Sequence, residues 1–137
     1  MRERVVVYCD GGSRGNPGPA AIGAVVLDPS TDQPTTLARV SEAIGVATNN
    51  VAEYRAVIAG LEAAREHPSR VLELRADSQL VVRQLEGRYR VKHPDLQPLH
   101  RRCRELLAAY DRVKLVHVAR ELNAEADALV NAALDNP

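Results

Sequence analysis

The spacing of apolar residues along the chain changes near residue 50, from short continuous runs to a helical period. Before that point, three apolar segments rich in β-branched residues predict strands at 4–10, 20–28 and 35–46. Glycine and proline are concentrated at 11–19 and predict a turn between the first two strands. Because the connections are short, these three strands are expected to form an antiparallel meander.

Helices and strands alternate in the remainder of the chain. Residues 50–66 place alanines at helical spacing, which predicts an amphipathic helix whose small-residue face can pack closely on a sheet. Further strands are predicted at 70–76 and 112–118, and further helices at 78–86 (with Ser78 as N-cap), 98–110 and 123–134, whereas 87–97 has no regular pattern. Such alternation favours parallel pairing through right-handed crossovers, so we expect one α/β domain with a mixed sheet.

Composition and length agree with one globular domain. The chain has 137 residues, of which 45% are hydrophobic and 26% charged, a balance that excludes intrinsic disorder. It has neither an apolar run of about 18 residues nor a signal-peptide pattern, so we expect a cytoplasmic protein without a membrane span. Lys and Arg number 18, as do Asp and Glu, which argues against nucleic-acid binding by bulk charge but leaves a local basic patch open. Neither cysteine belongs to a metal or disulfide pattern, and Cys9 is expected to be buried.

Four acidic residues occupy positions that the predicted fold would bring together. Asp10 and Asp77 each end a predicted strand, and ligands of open α/β sheets bind beyond the carboxyl ends of the strands. Glu53 lies in the first turn of the long helix, and Asp127 lies early in the last helix on one face with Asn123 and Asn131. Each acid also has a structural interpretation, as a turn former, an N-cap or a solvated surface group.

Convergence of these carboxylates would have a chemical consequence. Without matching cations they would repel one another and resist ionisation, and bound divalent metal relieves such repulsion. Oxygen ligands of this kind suit Mg²⁺ or Mn²⁺ rather than zinc. A carboxylate-held metal pair about 4 Å apart is the arrangement used for in-line attack on phosphodiesters. Glycines beside Asp10 would also let a phosphate backbone approach closely. The residues therefore predict a metal-dependent phosphoryl-transfer site.

Four segments resemble, in order and spacing, the motifs of type 1 ribonuclease H. They are YCDGGSRGNPGP (8–19), TNNVAEY (48–54), ADSQ (76–79) and RELNAEAD (120–127), and together they span nearly the whole chain. The resemblance implies a five-stranded mixed sheet, with the first three strands antiparallel and helices on both faces. It also implies hydrolysis of the RNA strand of RNA–DNA hybrids, which leaves 5′-phosphate and 3′-hydroxyl ends. We expect residues 1–137 to form a single, monomeric ribonuclease H domain, of a kind that in some relatives is fused to a further catalytic domain.

The resemblance also assigns roles to individual residues. Asp10, Glu53, Asp77 and Asp127 match the four metal-binding carboxylates of the family. Asp10 would bridge two Mg²⁺ ions, for which Mn²⁺ can substitute. Glu53 and Asp77 would hold the ion near the leaving oxygen, and Asp127 the ion near the attacking water. The matched substrate-binding positions are Gly15, Asn16 and Asn50 at the minor groove, Thr48 and Asn49 at a DNA-phosphate pocket, Gln79 on the RNA, and also Gly11, Ser78 and Asn123. Amide and hydroxyl groups suit recognition of the 2′-OH.

Two features depart from the family pattern. Many bacterial relatives carry a histidine in the loop before the last carboxylate, whereas this chain has AREL there. His117 lies in a predicted strand and is expected to be structural; Arg120 is either a substitute near the departing phosphate or a surface residue. The segment 87–97 is too short for the basic protrusion of many relatives. Residues 83–104 nevertheless hold seven basic side chains against two acidic ones, so Arg88, Arg90 and Lys92 either bind phosphate or form a solvated surface.

Two other classes of function stay open at this point. A non-catalytic module that binds hybrid or duplex would be expected to lose one of the carboxylates, and all four are present. Another polynucleotidyl transferase on the same fold, such as an integrase or a junction resolvase, would not be expected to carry the TNN signature on so short a chain. The sequence does not decide whether double-stranded RNA is a second substrate, or whether one embedded ribonucleotide suffices.

Overall fold

A computed structural model describes residues 1–137 as a five-stranded sheet with helices packed on it. The strands are β1 (Arg2–Ser13), β2 (Gly18–Asp28), β3 (Thr35–Ala47), β4 (Ser69–Ala76) and β5 (Arg112–His117). The helices are α1 (Asn49–Ala64), α2 (Gln79–Leu85), α3 (Gln97–Leu107) and α4 (Ala124–Asp135), and a 3-10 turn at Arg120–Asn123 precedes α4. None of these helices combines the length and the apolar character needed to cross a membrane.

The order of strands in the sheet is β3-β2-β1-β4-β5. β1 pairs with β2, and β2 with β3, in antiparallel fashion. β4 is parallel to both β1 and β5. The predicted mixed sheet, with its antiparallel first three strands, is therefore confirmed.

The predicted turn at 11–19 is wrong in its bounds. Strand β1 continues to Ser13 and β2 begins at Gly18, so only four residues connect them. Gly11 and Gly12 pair with residues of β2 in the antiparallel ladder. A glycine keeps its backbone donor and acceptor, so a glycine-rich segment can stay in a sheet when a partner strand is in register. Asp10 consequently lies within β1 rather than at its end.

Hydrophobic side chains are buried on both faces of the sheet. Helices α1, α2 and α3 share one large apolar cluster with alternate residues of the strands, among them Val7 and Ile22. On the opposite face, Ala21 packs with Val130 and Ala133 of α4. Neighbouring residues Ala21 and Ile22 point to opposite faces, as expected for the period of two in a strand. The expectation of helices on both faces is confirmed, and so is the burial of Cys9.

Two glycines let helices approach the sheet at the level of Asp10. A Cβ atom at Gly11 would overlap the carbonyl group of Ala52 and lie 2.6 Å from the backbone nitrogen of Glu53. A Cβ atom at Gly23 would collide with the carbonyl oxygen of Ala126 in α4. Because Glu53 and Asp127 directly follow these two contact points in their helices, the close packing brings both carboxylates to the sheet beside Asp10.

We expect Gly11→Ala to lower the free energy of unfolding by about 3 kcal/mol, because the new methyl group must displace the backbone of α1. The neighbouring Gly12→Ala is the matched control, since its Cβ would meet only a Val130 methyl group at an ordinary 3.8 Å. Urea unfolding of the two variants measures the difference. Equal stability of both variants would contradict the close packing of α1 on β1.

A buried acid on β4 is neutralised by two arginines. Glu73 is 1% exposed and accepts hydrogen bonds from the guanidinium groups of Arg4, at 3.0 Å, and Arg75. Arg75 also contacts the hydroxyl group of Tyr8 and lies over its ring. Removing either arginine would leave the buried charge of Glu73 without part of its compensation. The network links β1 to β4 on the face of the sheet that α4 leaves open.

Candidate active site

A polar cleft of about 510 Å³ opens where the C-terminal part of β1 and the carboxyl end of β4 meet the N-terminal parts of α1 and α4. All four predicted carboxylates line it. Oxygen atoms of Asp10, Glu53 and Asp77 lie within 4.8 Å of one another, a spacing that allows one metal ion to be held by all three. The other lining residues are Gly11, Gly12, Ser13, Arg14, Asn49, Asn50, Ser78, Arg120, Val130, Asn131 and Leu134.

The sheet register explains why two of these acids meet. Cys9 of β1 is aligned with Ala76 of β4, and these two residues are the last pair of the parallel ladder. The residues that follow them, Asp10 and Asp77, therefore lie side by side just beyond it. Glu53 is the fifth residue of α1 and lies just beyond the first turn, one step later than predicted, because α1 begins at Asn49. Asp127 lies in the first turn of α4, and its carboxylate accepts a hydrogen bond of 3.4 Å from Asn131.

Burial and mutual repulsion raise the pKa values of two of the carboxylates. Asp10 is 6% exposed, and desolvation together with the charges of Asp77 and Asp127 raises its pKa to about 7. Desolvation and the charges of Asp10 and Asp77 raise the pKa of Glu53 to about 9. The guanidinium group of Arg120 partly opposes the shift of Asp10, so this arginine acts on the carboxylate cluster electrostatically. A cluster with this excess of negative charge is stabilised by divalent cations.

Several residues predicted to bind substrate also hold the cleft together. The backbone N–H of Ser13 donates to Asn49 Oδ1 at 2.9 Å, and the N–H of Asn49 donates to Asn16 Oδ1 at 3.1 Å. Thr48 is the N-cap of α1 and accepts a hydrogen bond from Val51. These bonds join the turn after β1 to the start of α1. Asn49 and its neighbour Asn50 line the cleft and are exposed.

The remaining polar candidates occupy different places. Ser78 lines the cleft and is the N-cap of α2, as predicted, since its hydroxyl accepts from Val81. Gly11 lies in the cleft wall, where it also permits the approach of α1. Gly15, in the turn after β1, and Gln79, in the first turn of α2, are exposed but outside the cleft wall.

The assignment of Asn123 as a substrate contact is not supported by its position. Its side chain is 1% exposed and donates a hydrogen bond of 2.9 Å to the carbonyl of Cys9, so it holds the 3-10 turn against β1. The turn precedes α4, whereas the sequence had placed Asn123 at the start of that helix on one face with Asp127. Asn123 immediately precedes α4 as its N-cap residue, whereas Asn131, the other amide predicted on the face of Asp127, lies within the helix and donates to the Asp127 carboxylate.

The basic residues divide into two groups. Arg120 lines the carboxylate cleft, and His117 is exposed at the end of β5 with its Nε2 3.3 Å from the carbonyl oxygen of Asp77. Arg88, Arg90 and Lys92 are exposed on the loop between α2 and α3 and do not line this cleft. That loop is attached to the core by Gln84. The side-chain amide of Gln84 donates to the carbonyl of Arg90, and its side-chain carbonyl accepts from the buried Tyr54 hydroxyl.

Sequence reasoning missed Arg14, which lines the cleft from the turn after β1. Its guanidinium group lies 2.8 Å from the carboxylate of Asp135 at the end of α4. A basic residue inside a glycine-rich turn beside a predicted phosphate site was the available signal. Sequence distance hid the rest, because Asp135 comes from the opposite end of the chain.

Comparison with known proteins agrees with this architecture. A family model described as "Reverse transcriptase-like" matches residues 8–133. The chain is 49% identical to ribonuclease HI of Halobacterium salinarum over 133 residues, which are 97% of this chain. Over 132 residues, 96% of this chain, it is 48% identical to the bifunctional protein Rv2228c of Mycobacterium tuberculosis. The chain spans 65% of the length of the first relative and 36% of the second.

Solved structures show the same fold. The N-terminal RNase H domain of rv2228c superposes with a TM-score of 0.91 at 48% identity, covering 96% of this chain and 99% of that one. LC11-RNase H1, solved in complex with an RNA/DNA hybrid, gives a TM-score of 0.87 at 42% identity, with 96% of each chain covered. The chain therefore belongs to the reverse transcriptase-like family, in which it is a ribonuclease H-like domain similar to ribonuclease HI. The resemblance stated from the four sequence motifs is confirmed.

Proposed function

We propose that this chain is a metal-dependent endoribonuclease that hydrolyses the RNA strand of RNA–DNA hybrids and leaves 5′-phosphate and 3′-hydroxyl ends. The observation that carries the proposal is the convergence of Asp10, Glu53 and Asp77 within 4.8 Å, with Asp127 on the wall of the same cleft. The similarity to LC11-RNase H1, whose structure contains an RNA/DNA hybrid, supports this choice of substrate.

The residues of the cleft suit divalent cations. All the candidate ligands are carboxylate oxygens, the donors that Mg²⁺ and Mn²⁺ prefer, and no cysteine or histidine belongs to the cluster. Desolvation and the charges of the neighbouring acids raise the pKa values of Asp10 and Glu53, and bound cations would favour the ionised carboxylates. Two Mg²⁺ ions, when bound, would supply Lewis-acid stabilisation of the phosphodiester and an activated water. Asp10, Glu53, Asp77 and Asp127 would hold these ions, with Asp10 the most buried of the four carboxylates.

The chain's own polar groups would orient the substrate. Asn49 and Asn50 expose amides on the cleft wall, where they can bind the hybrid, and 2′-hydroxyl recognition by such groups separates RNA from DNA. Arg120 would stabilise negative charge on the departing phosphate, since it already acts on Asp10. Arg88, Arg90 and Lys92 would contact phosphates farther along the duplex. All four carboxylates belong to one chain, so the cluster needs no residue of a second copy, and we propose that the domain acts as a monomer.

The test is cleavage of a labelled RNA–DNA hybrid in Mg²⁺ by the wild-type chain and by Asp77→Asn. We expect cleavage of the RNA strand by the wild type alone, with 5′-phosphate ends on the products. DNA duplex should not be cut, and an arm with double-stranded RNA decides whether it is a second substrate. Ca²⁺ should bind yet support little cleavage, because it is larger and less strict in its geometry than Mg²⁺.

Two results would overturn the proposal. Equal cleavage by the wild type and Asp77→Asn would exclude the carboxylate cluster as the active site. Hybrid binding without any cleavage in Mg²⁺ or Mn²⁺ would indicate a binding module instead.

A further inference from the structure

The cleft is strongly acidic, and only two of the residues that line it carry positive charge. They are Arg120, on the 3-10 turn before α4, and Arg14, on the turn between β1 and β2. A nucleic-acid strand that enters a cleft of four carboxylates needs cations at its walls as well as bound metal. Arg120 acts on Asp10, whereas no role follows for Arg14 from the proposed chemistry.

Arg14 is presented by a well-anchored backbone. Its N–H donates to the carbonyl of Pro19 at 2.8 Å, which closes the turn. The preceding Ser13 is bonded to Asn49 of α1, and Asn49 in turn is bonded to Asn16 of the same turn. The side chain of Arg14 is therefore carried on a fixed base, and replacing it would leave all of these backbone contacts in place.

The ion pair of Arg14 is one that an anionic ligand can displace. Asp135, its partner at 2.8 Å, lies in the last turn of α4, where the helix dipole disfavours a negative charge. Both side chains are about half exposed, at 49% and 59%, and solvent-exposed pairs contribute little to stability. A phosphodiester presents two oxygens to the guanidinium fork and binds it in the same bidentate manner as a carboxylate does.

We propose that Arg14 binds a backbone phosphate of the nucleic acid in the cleft and that the carboxylate of Asp135 forms an ion pair with this arginine when the cleft is empty. Asp135 is then a competitor of the substrate, and its removal tightens binding. This inference rests on the proposed function only for the identity of the ligand, an RNA–DNA hybrid. It concerns affinity, so it can be tested without cleavage.

The experiment measures fluorescence anisotropy of a labelled RNA–DNA hybrid in Ca²⁺ over a series of salt concentrations. We expect Arg14→Ala to weaken binding about tenfold at low salt and to reduce the slope of log K against log salt by about 0.9, the loss of one phosphate contact. Arg14→Lys should recover part of the affinity. Asp135→Asn should tighten binding about threefold, and should have no effect in the Arg14→Ala background, since the two residues act as one unit.

A second exposed ion pair supplies matched controls. Arg39 lies 2.8 Å from Glu125 of α4, with both side chains about half exposed and neither on the cleft wall. Arg39→Ala and Glu125→Gln change the net charge as much as the test variants do, yet should leave affinity and salt slope unchanged. Circular dichroism of every variant verifies that the fold is intact.

Each outcome either supports or overturns the proposed role of Arg14. Equal affinity and salt slope for Arg14→Ala and Arg39→Ala would overturn it, as would weaker binding by Asp135→Asn. In that case, cleavage that depends on Asp77 would leave the proposed function standing. If the wild type binds hybrid through Arg14 but never cleaves it, the inference holds and the proposed function fails. If the wild type does not bind hybrid at all, both fail.

Discussion

Replacing Asp10 with asparagine is expected to reduce hybrid cleavage by about a thousandfold or more while making the metal-free protein more stable. Activity falls because Asp10 is the buried carboxylate that the proposed metal site shares with Glu53 and Asp77. Stability rises because an amide at position 10 removes the repulsion of Asp10 with Glu53, Asp77 and Asp127, with a gain of about 1 kcal/mol at pH 8. Single-turnover cleavage and thermal unfolding in EDTA measure the two effects on the same preparation.

The opposite signs of the two effects distinguish the loss of a metal ligand from damage to the fold. A substitution that merely damaged the fold would lower activity and stability together. Asp32→Asn is the matched control, because it makes the same chemical change on an exposed loop carboxylate outside the cleft. It should leave both quantities unchanged. An Asp10→Asn protein that is inactive and also less stable than the wild type in EDTA would argue against carboxylate repulsion at this site.

The second large effect expected is a loss of stability of the metal-free protein as the pH rises from about 5 to 9. The folded-state pKa values of Asp10, about 7, and Glu53, about 9, exceed the ordinary values of 3.8 and 4.5. Between the ordinary and the raised values the folded state therefore holds more protons than the unfolded state. The contribution of these two carboxyl groups to stability is fully present below about pH 4, and it is lost progressively as the pH rises from there through the two raised pKa values.

We expect the loss to reach about 2–3 kcal/mol, or roughly 10 °C in Tm, after allowance for relaxation of the partly hydrated cleft. Mg²⁺ or Mn²⁺ should reverse it, because cations bind the ionised carboxylates and favour the folded state by mass action. The metal-dependent increase in Tm should thus be larger at pH 8.5 than at pH 5.5. Differential scanning calorimetry with and without metal across this range measures both quantities.

Glu53→Gln serves as the control for the pH effect. It removes the carboxyl group with the larger rise in pKa, so the Tm of this variant in EDTA should vary much less between pH 5.5 and 8.5. A wild-type Tm that is constant or rises over this interval in EDTA would contradict the electrostatic account of the cleft.

Local patterns carried enough information to predict most of the architecture. The alanine period of α1, the alternation in β4 and the N-cap at Ser78 each depend on interactions within a few residues, and each is present in the structure. The wrong predictions concern features that depend on residues distant in the sequence. Glycine content suggested a turn where the ladder between β1 and β2 continues, because ladder pairing depends on the partner strand.

The candidate site was predicted only in part, for a similar reason. The four motifs identified its carboxylates, but they did not predict that Asn123 lies in a 3-10 turn before α4. Arg14 was overlooked because its ion pair joins the two ends of the chain. Neither the burial of Asn123 against Cys9 nor the pairing of Arg4 with Glu73 follows from local spacing, since these pairs are separated by 114 and 69 residues.

The amino-acid sequence by itself determined the types and order of the elements, the family motifs and the acids available for metal binding, because these depend on side-chain chemistry and short-range periodicity. The tertiary structure decided which acids have raised pKa values, which glycines permit close packing of α1 and α4, and which carboxylate pairs with Arg14. Those properties depend on distances and desolvation between segments far apart in the chain, and only the packing of the helices on the sheet sets these.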